Sequence, residues 1–135
     1  MSSGEYNPNL FKKGFLLALN MISGIHLHPE LKKAFLELGF EEMTDIQQRT
    51  IPLIQQGKDV IGQSQTGSGK TAAFGFPMLE KIVPNSGVQC LVLVPTRELC
   101  EQVTSELRKF AKYKRANIIS VYGGVSISPQ IDNLR

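Results

Sequence analysis

At 135 residues, with 41% hydrophobic and 20% charged side chains, the chain is long enough to bury a core as one modest domain. Its composition excludes a disordered, fibrous or disulfide-stapled protein. The net charge of +3 permits contact with a polyanion without demanding it, and the two cysteines, Cys90 and Cys100, lack metal-site spacing and read as reduced packing residues of an intracellular protein, cytoplasmic or nuclear.

Residues 1–9 are rich in Ser, Gly, Asn and Pro and read as a disordered, linker-like start. Lys12 and Lys13 then precede an apolar run over residues 15–22, followed by Ser23 and Gly24, an arrangement with a loose likeness to a signal peptide. Asn20 interrupts the run, no Ala-x-Ala site follows, and the run is too short to span a bilayer, so it reads as a packing or interaction segment. We therefore expect residues 1–21 to be an N-terminal extension and residues 22–135 to be one incomplete domain.

Within that domain the spacing predicts a helix over residues 29–38, with Pro29 in its first turn, Leu31, Ala34, Phe35 and Leu38 on one face, and Gly39 as its stop. A second helix follows Thr44 and ends at Gly57-Lys58-Asp59. The texture then alternates. Strands are predicted over residues 59–63, 89–94 and 117–122, helices over 70–82 and 96–112, and a further helix from Ser128-Pro129. The long helix carries Leu99, Val103, Leu107 and Phe110 on one stripe. This β-α-β-α-β order predicts an α/β domain, a parallel sheet flanked by helices and truncated after about three strands, with ligands outside the carboxyl ends of the strands.

Between the first strand and its helix lies Ser64-Gln65-Thr66-Gly67-Ser68-Gly69-Lys70-Thr71. The glycines let successive N–H groups point into one concavity, and the helix adds its positive N-terminal end, which together suit a row of phosphates. Lys70 would reach the β/γ phosphates as a point charge, and the Thr71 hydroxyl would ligate a magnesium ion bridging them.

Three further segments have both a structural and a functional reading. Pro95-Thr96-Arg97-Glu98-Leu99 lets Thr96 cap its helix, and also sets free N–H groups beside Arg97 for a phosphate oxygen. Gly123-Gly124 forms a turn, and also allows a nucleic-acid strand to lie directly against the backbone. In the segment from Gly39 to Gln47, Thr44 and Gln47 fit a capping box, while the Gln47 amide also suits the donor and acceptor edge of adenine. The cations Arg108, Lys109, Lys112, Lys114 and Arg115 sit where a helix dipole and solvent favour them, with nucleic-acid contact as the alternative.

In this order the four segments resemble the first half of the DEAD-box RNA helicase core, over roughly residues 25–135. The resemblance implies a RecA-like P-loop NTPase domain that binds ATP and magnesium. Its nucleotide-binding residues would be Phe40 and Gln47 of the adenine-recognising segment and Ser64, Gln65, Thr66, Gly67, Ser68, Gly69, Lys70 and Thr71 of the loop. Lys70 and Thr71 would be catalytic and Thr71 the metal ligand. Pro95, Thr96, Arg97, Glu98, Gly123 and Gly124 would grip the RNA backbone independently of base sequence. ATP binding would close this domain on a second one, bend the RNA and separate a short duplex. The family usually has proline at Met43, alanine at Ser64 and an adenine-stacking aromatic at Ile22.

No strand ending in Asp-Glu occurs in these residues, and the family's second domain has no counterpart in them. The expectation is thus the front part of an ATP-dependent RNA helicase, inactive as these 135 residues alone, monomeric, free of the membrane and served by accessory proteins. The alternatives are a non-catalytic nucleotide- and RNA-binding module and a related superfamily 2 DNA helicase. The unpaired edges and half-covered apolar faces of a truncated sheet also predict an aggregation-prone or partly molten piece.

Overall fold

A computed structural model describes residues 25–134. The predicted extension, the apolar run and Ile22 lie outside the described residues. Five helices are present among them: α1 Pro29–Glu37, α2 Asp45–Gln55, α3 Lys70–Lys81, α4 Arg97–Phe110 and α5 Ser128–Leu134.

Helix α1 starts with Pro29 in its first turn and buries Leu31, Ala34 and Phe35. Its end is a Schellman motif. Gly39, at φ +79°, donates its N–H to the carbonyl of Leu36 at 3.1 Å, and Phe40 donates to Phe35 at 3.3 Å. The same two side chains supply the apolar contact that accompanies this motif, with their rings stacked at 4.8 Å. Helix α2 closes in the same manner: Gly57, at φ +78°, donates to Ile54 at 3.0 Å and Lys58 donates to Leu53 at 3.0 Å.

The core lies where α1, α3 and α4 converge. Phe76 of α3 stacks on Phe110 of α4 at 4.6 Å and meets Phe35 of α1 edge-on at 5.4 Å. Leu31, Phe35, Ile51, Phe76 and Leu79 are wholly shielded from water, each contributing about 1.5–3 kcal/mol by burial. Gly75 permits the close approach of α3 and α4, since a Cβ there would lie 2.7 Å from Leu107 and 3.2 Å from the Phe110 ring. The predicted stripe on the long helix faces this core, with Val103, Leu107 and Phe110 buried and Leu99 packed beside them.

The predicted sheet is where structure and sequence part. Among the described residues no strand is assigned, and no backbone hydrogen bond joins residues 59–63, 89–94 and 117–122 to one another. The side-chain alternation expected of strands is nonetheless present. Val92, Val94 and Ile118 pack against the core, while Ile61, Leu91, Leu93 and Val121 are exposed. A parallel ladder requires two such runs side by side. Here the run over residues 117–122 is held by side chains on helices instead: the Arg108 guanidinium donates to the Ile118 carbonyl at 3.0 and 2.8 Å.

Candidate functional site

The glycine-rich loop enters α3 through Gly69, a left-handed N-cap at φ +85°. Gly67 also has positive φ, at +77°, so two left-handed residues flank Ser68 and curl the chain tightly. The first helical hydrogen bond runs from Ala73 N–H to the carbonyl of Gly69 at 3.0 Å. The N–H groups of Lys70, Thr71 and Ala72 therefore have no acceptor within the helix, and they form the positive end that a phosphate would meet.

Lys70 folds back over the loop. Its ammonium donates to the carbonyl of Ser64 at 2.5 Å and to that of Gln65 at 2.7 Å. The hydroxyls of Ser64 and Ser68 share a hydrogen bond of 2.6 Å. The loop thus satisfies its own cation with the carbonyl oxygens of its first residues. These are the contacts that an anionic ligand would replace.

Gln47 is completely buried. Its Oε1 accepts from the backbone N–H of Thr44 at 3.0 Å, which is one arm of the predicted capping box. Its Nε2 donates to the carbonyl of Gly69 at 3.1 Å. Gln47 therefore ties the start of α2 to the phosphate-loop turn. The ring of Phe40, placed with Gln47 by sequence, packs into the aromatic core, stacked on Phe35 with Phe76 and Phe110 edge-on.

At the start of α4, Thr96 is the expected cap: its Oγ1 accepts from the N–H of Leu99 at 3.2 Å. Pro95, Arg97 and Glu98 beside it are exposed. Arg97 reaches across 26 residues of sequence and donates from Nη2 to the carbonyl of Gly123 at 2.9 Å. Gly124, at φ +83°, has a backbone that side chains rarely adopt, and a Cβ there would displace the Arg97 guanidinium, whose Nη2 lies 2.4 Å from that position. No neighbour crowds a Cβ at Gly123. Two segments that the sequence singled out separately thus form one exposed surface.

That surface includes residues the sequence reading missed. The Tyr122 ring lies under the Arg97 guanidinium at 5.1 Å, and Glu101 accepts from the Ser120 hydroxyl at 3.1 Å. Hydrogen bonds from Tyr122 and Ser120 hold the Glu101 carboxyl below the usual range, and the same bond to Glu101 raises the Tyr122 phenol. The available signal was position: Tyr122 directly precedes the glycine doublet, and Glu101 lies one helical turn after Arg97.

Three cations of the basic cluster have partners within the protein. Lys112 pairs with Glu37, Arg108 holds Ile118 and Lys114 donates to the carbonyl of Glu80 at 3.0 Å. Cys90 and Cys100 are free thiols, and burial raises the Cys90 thiol. Among the described residues no group of three or more His, Cys, Asp or Glu side chains is placed to hold a metal, and no helix is long and apolar enough to cross a membrane.

Residues 44–135, which contain the loop, the arginine site and the glycine doublet, match the DEAD/DEAH box helicase family. The chain belongs to that family. It is 56% identical over 110 residues to the DEAD-box ATP-dependent RNA helicase CshA of Geobacillus kaustophilus, a match covering 81% of this chain and 24% of the relative. Against CshA of Bacillus subtilis the identity is 53% over 111 residues, covering 82% and 22%. The chain therefore spans about a quarter or less of the length of these curated DEAD-box relatives. Its structure is similar to a DEAD box protein from Methanococcus jannaschii, with a TM-score of 0.80, 39% identity, and coverage of 83% of this chain and 31% of that one. It also matches S. cerevisiae Dbp5 solved with Nup159, Gle1, IP6 and ADP, with a TM-score of 0.65, 35% identity, and coverage of 68% and 25%. The described residues thus share the arrangement of RecA-like DEAD-box domains, while the sheet predicted from sequence is not formed among them.

Proposed function

We propose that this chain supplies the nucleotide grip and part of the RNA grip of an ATP-dependent RNA helicase. The observation that carries this reading is the Lys70 ammonium, turned onto the carbonyls of Ser64 and Gln65 at the N-terminus of α3. An incoming triphosphate would take Lys70 from those carbonyls and receive the free N–H groups of the first helical turn. Half-buried Thr71 stands next to Lys70 and fits a role as the chain's own ligand to magnesium, with the phosphates completing the shell. The bound ion would supply charge neutralisation at the phosphates. Gln47 holds Gly69 in its left-handed turn, and adenine would meet its buried amide only in exchange for one of these internal bonds.

The RNA grip rests on Thr96, Arg97, Gly123 and Gly124, with Pro95 and Glu98 at its edge. Open space at Gly123 suits a sugar-phosphate backbone lying against the main chain. Backbone contacts of this type give affinity without base readout, which fits an enzyme that acts on many RNAs.

Residues 59–63, 89–94 and 117–122 belong, in this reading, to a parallel RecA-like sheet. The exposed apolar side chains of Ile61, Leu91, Leu93 and Val121 support it, since such a face is covered in a finished α/β domain. ATP turnover and duplex separation are activities of the longer helicase. The 135 residues hold nucleotide without hydrolysing it in this reading, since among the described residues no carboxylate cluster is placed at the loop. The bacterial origin of the relatives favours the cytoplasm, and a monomer served by accessory proteins is the proposed form.

Binding of a fluorescent ATP analogue with magnesium to the full chain tests the nucleotide site. Lys70→Ala should abolish binding, and unchanged binding would remove the phosphate-loop assignment. For RNA, Arg97→Ala should weaken binding to all sequences alike and lower the salt slope by about one. Equal affinity of the chain for RNA and single-stranded DNA, with no sensitivity to the 2′-hydroxyl, would favour the related DNA helicase.

A further inference from the structure

Arg97 reaches the glycine doublet across the face of the Tyr122 ring. We propose that Tyr122 and Gln130 are positioning residues for the Arg97 site: the Tyr122 ring is the platform that carries the guanidinium over Gly123-Gly124, and the Gln130 amide fixes the backbone from which that ring projects. The proposal rests on the RNA grip proposed above and adds to it two residues outside its motifs.

Gln130 lies near the start of α5 and is half-buried. Its Oε1 accepts from the backbone N–H of Tyr122 at 2.9 Å, and its Nε2 donates to the carbonyl of the same residue at 3.2 Å. The side-chain amide thus makes the two-bond contact that a neighbouring strand would make, at a place where no strand is paired. A third bond, from Nε2 to the carbonyl of Ser126 at 3.2 Å, anchors the amide to the turn ahead of its own helix.

With its backbone held on both sides, Tyr122 presents its ring to Arg97 at 5.1 Å, within the range where a ring face attracts a guanidinium. Two residues earlier on the same run, the Ser120 hydroxyl donates to Glu101 of α4 at 3.1 Å, which ties the segment to the helix that carries Arg97. Arg97 spends one donor on the carbonyl of Gly123, and a guanidinium has five. The others remain for phosphate oxygens. Without the platform a long exposed arginine samples many rotamers, and ordering it on binding costs conformational entropy.

The test uses the full chain, labelled for NMR at its arginine side chains, and a fluorescein-labelled single-stranded oligouridylate titrated at several salt concentrations. The Arg97 signal is assigned by its loss in Arg97→Ala, and its displacement by the ring current of Tyr122 reports the platform directly. Tyr122→Leu should erase that displacement and lower RNA affinity about two- to fivefold. Tyr122→Phe, which keeps the ring, should preserve most of both. Gln130→Ala should return the Arg97 signal toward its free value and lower affinity by a similar factor. If Arg97→Ala weakens RNA binding but Tyr122→Leu and Gln130→Ala do not, the positioning role is overturned while the RNA site stands. If Arg97→Ala itself leaves affinity intact, the RNA reading fails and this proposal fails with it. Should Tyr122→Leu not fold, Gln130→Ala decides alone: a displaced Arg97 signal with unchanged affinity overturns the proposal.

Discussion

The buried amide of Gln47 donates to the carbonyl of Gly69 at 3.1 Å, joining the start of α2 to the turn that precedes Lys70. The same side chain accepts from the N–H of Thr44, so both of its polar ends are engaged inside the protein. Gln47→Ala should therefore leave the Thr44 N–H without its partner, strip the Gly69 carbonyl of one of its two donors and destabilise the fold by about 1–3 kcal/mol. A urea melt of the full chain measures this. Comparing ATP with GTP separates the two roles of the residue: equal losses mean that Gln47 acts through the loop, and a loss confined to ATP means that it reads the base.

Gly69 answers to the same contact from the other side. A Cβ there would stand 2.3 Å from Gln47 Nε2, on a backbone at φ +85°. Gly67 shares the left-handed backbone, at φ +77°, but nothing lies near its Cβ position. Gly67→Ala should cost about 1–2 kcal/mol of backbone strain, and Gly69→Ala more than that. Adding Gln47→Ala to Gly69→Ala should return part of the difference, since the clash is then removed. Strict additivity in a double-mutant cycle would show that the two residues do not interact.

Ser64 stands where the family usually has alanine, and its hydroxyl pairs with that of Ser68 at 2.6 Å. This bond and the Lys70 contacts hold the loop upon itself. Ser64→Ala removes a bond of about 0.5–1.5 kcal/mol that nucleotide would have to break, so affinity for ATP should rise about two- to tenfold. A fall in affinity, read by titration of the fluorescent analogue, would mean that the Ser64 hydroxyl touches the nucleotide itself.

Lys112 and Tyr113 both contact Glu37, fastening the end of α4 to α1. Hydrogen bonds from Lys112 and then Tyr113 lower the Glu37 carboxyl from 4.5, and the bond to Glu37 raises Lys112. A carboxyl lowered by folding stabilises above its unfolded value and loses that contribution as the pH falls through its folded value. Thermal melts from pH 7 down to pH 3 should show an acid loss that is smaller in Glu37→Gln. Glu101, lowered in the same direction, sets the loss that remains. The pair is exposed, so about 1 M salt should reduce the difference between the two proteins. Identical acid limbs for both would mean that the contact contributes nothing.

Much of this arrangement is legible in the residues. Pro29 and Gly39 bracket α1, Thr44 and Thr96 sit at the two N-caps, and the spacing of Val103, Leu107 and Phe110 names the buried face of α4. These features depend on backbone geometry and periodicity within one segment, which local sequence controls. The turn of the glycine-rich loop is legible for the same reason, since its glycines, lysine and threonine fall within eight consecutive positions.

The sheet was legible only by half. The uniformly apolar run at residues 91–94 does not say which side chains face the helices, and a ladder needs a neighbouring strand that no local pattern can supply. The capping bond of Gln47 to Thr44 was legible, whereas its reach to Gly69 and the contacts of Tyr122 and Gln130 were not. Each depends on an approach between segments distant in sequence, Gln47 to Gly69 and Arg97 to Gly123. The sequence by itself determined the helices, their caps and the turn of the glycine-rich loop, because those follow from local dihedral preference and residue type. Only the tertiary structure decided that Gln47 braces the loop and that Tyr122 carries Arg97, because packing alone fixes which distant side chains share a hydrogen bond or a ring face.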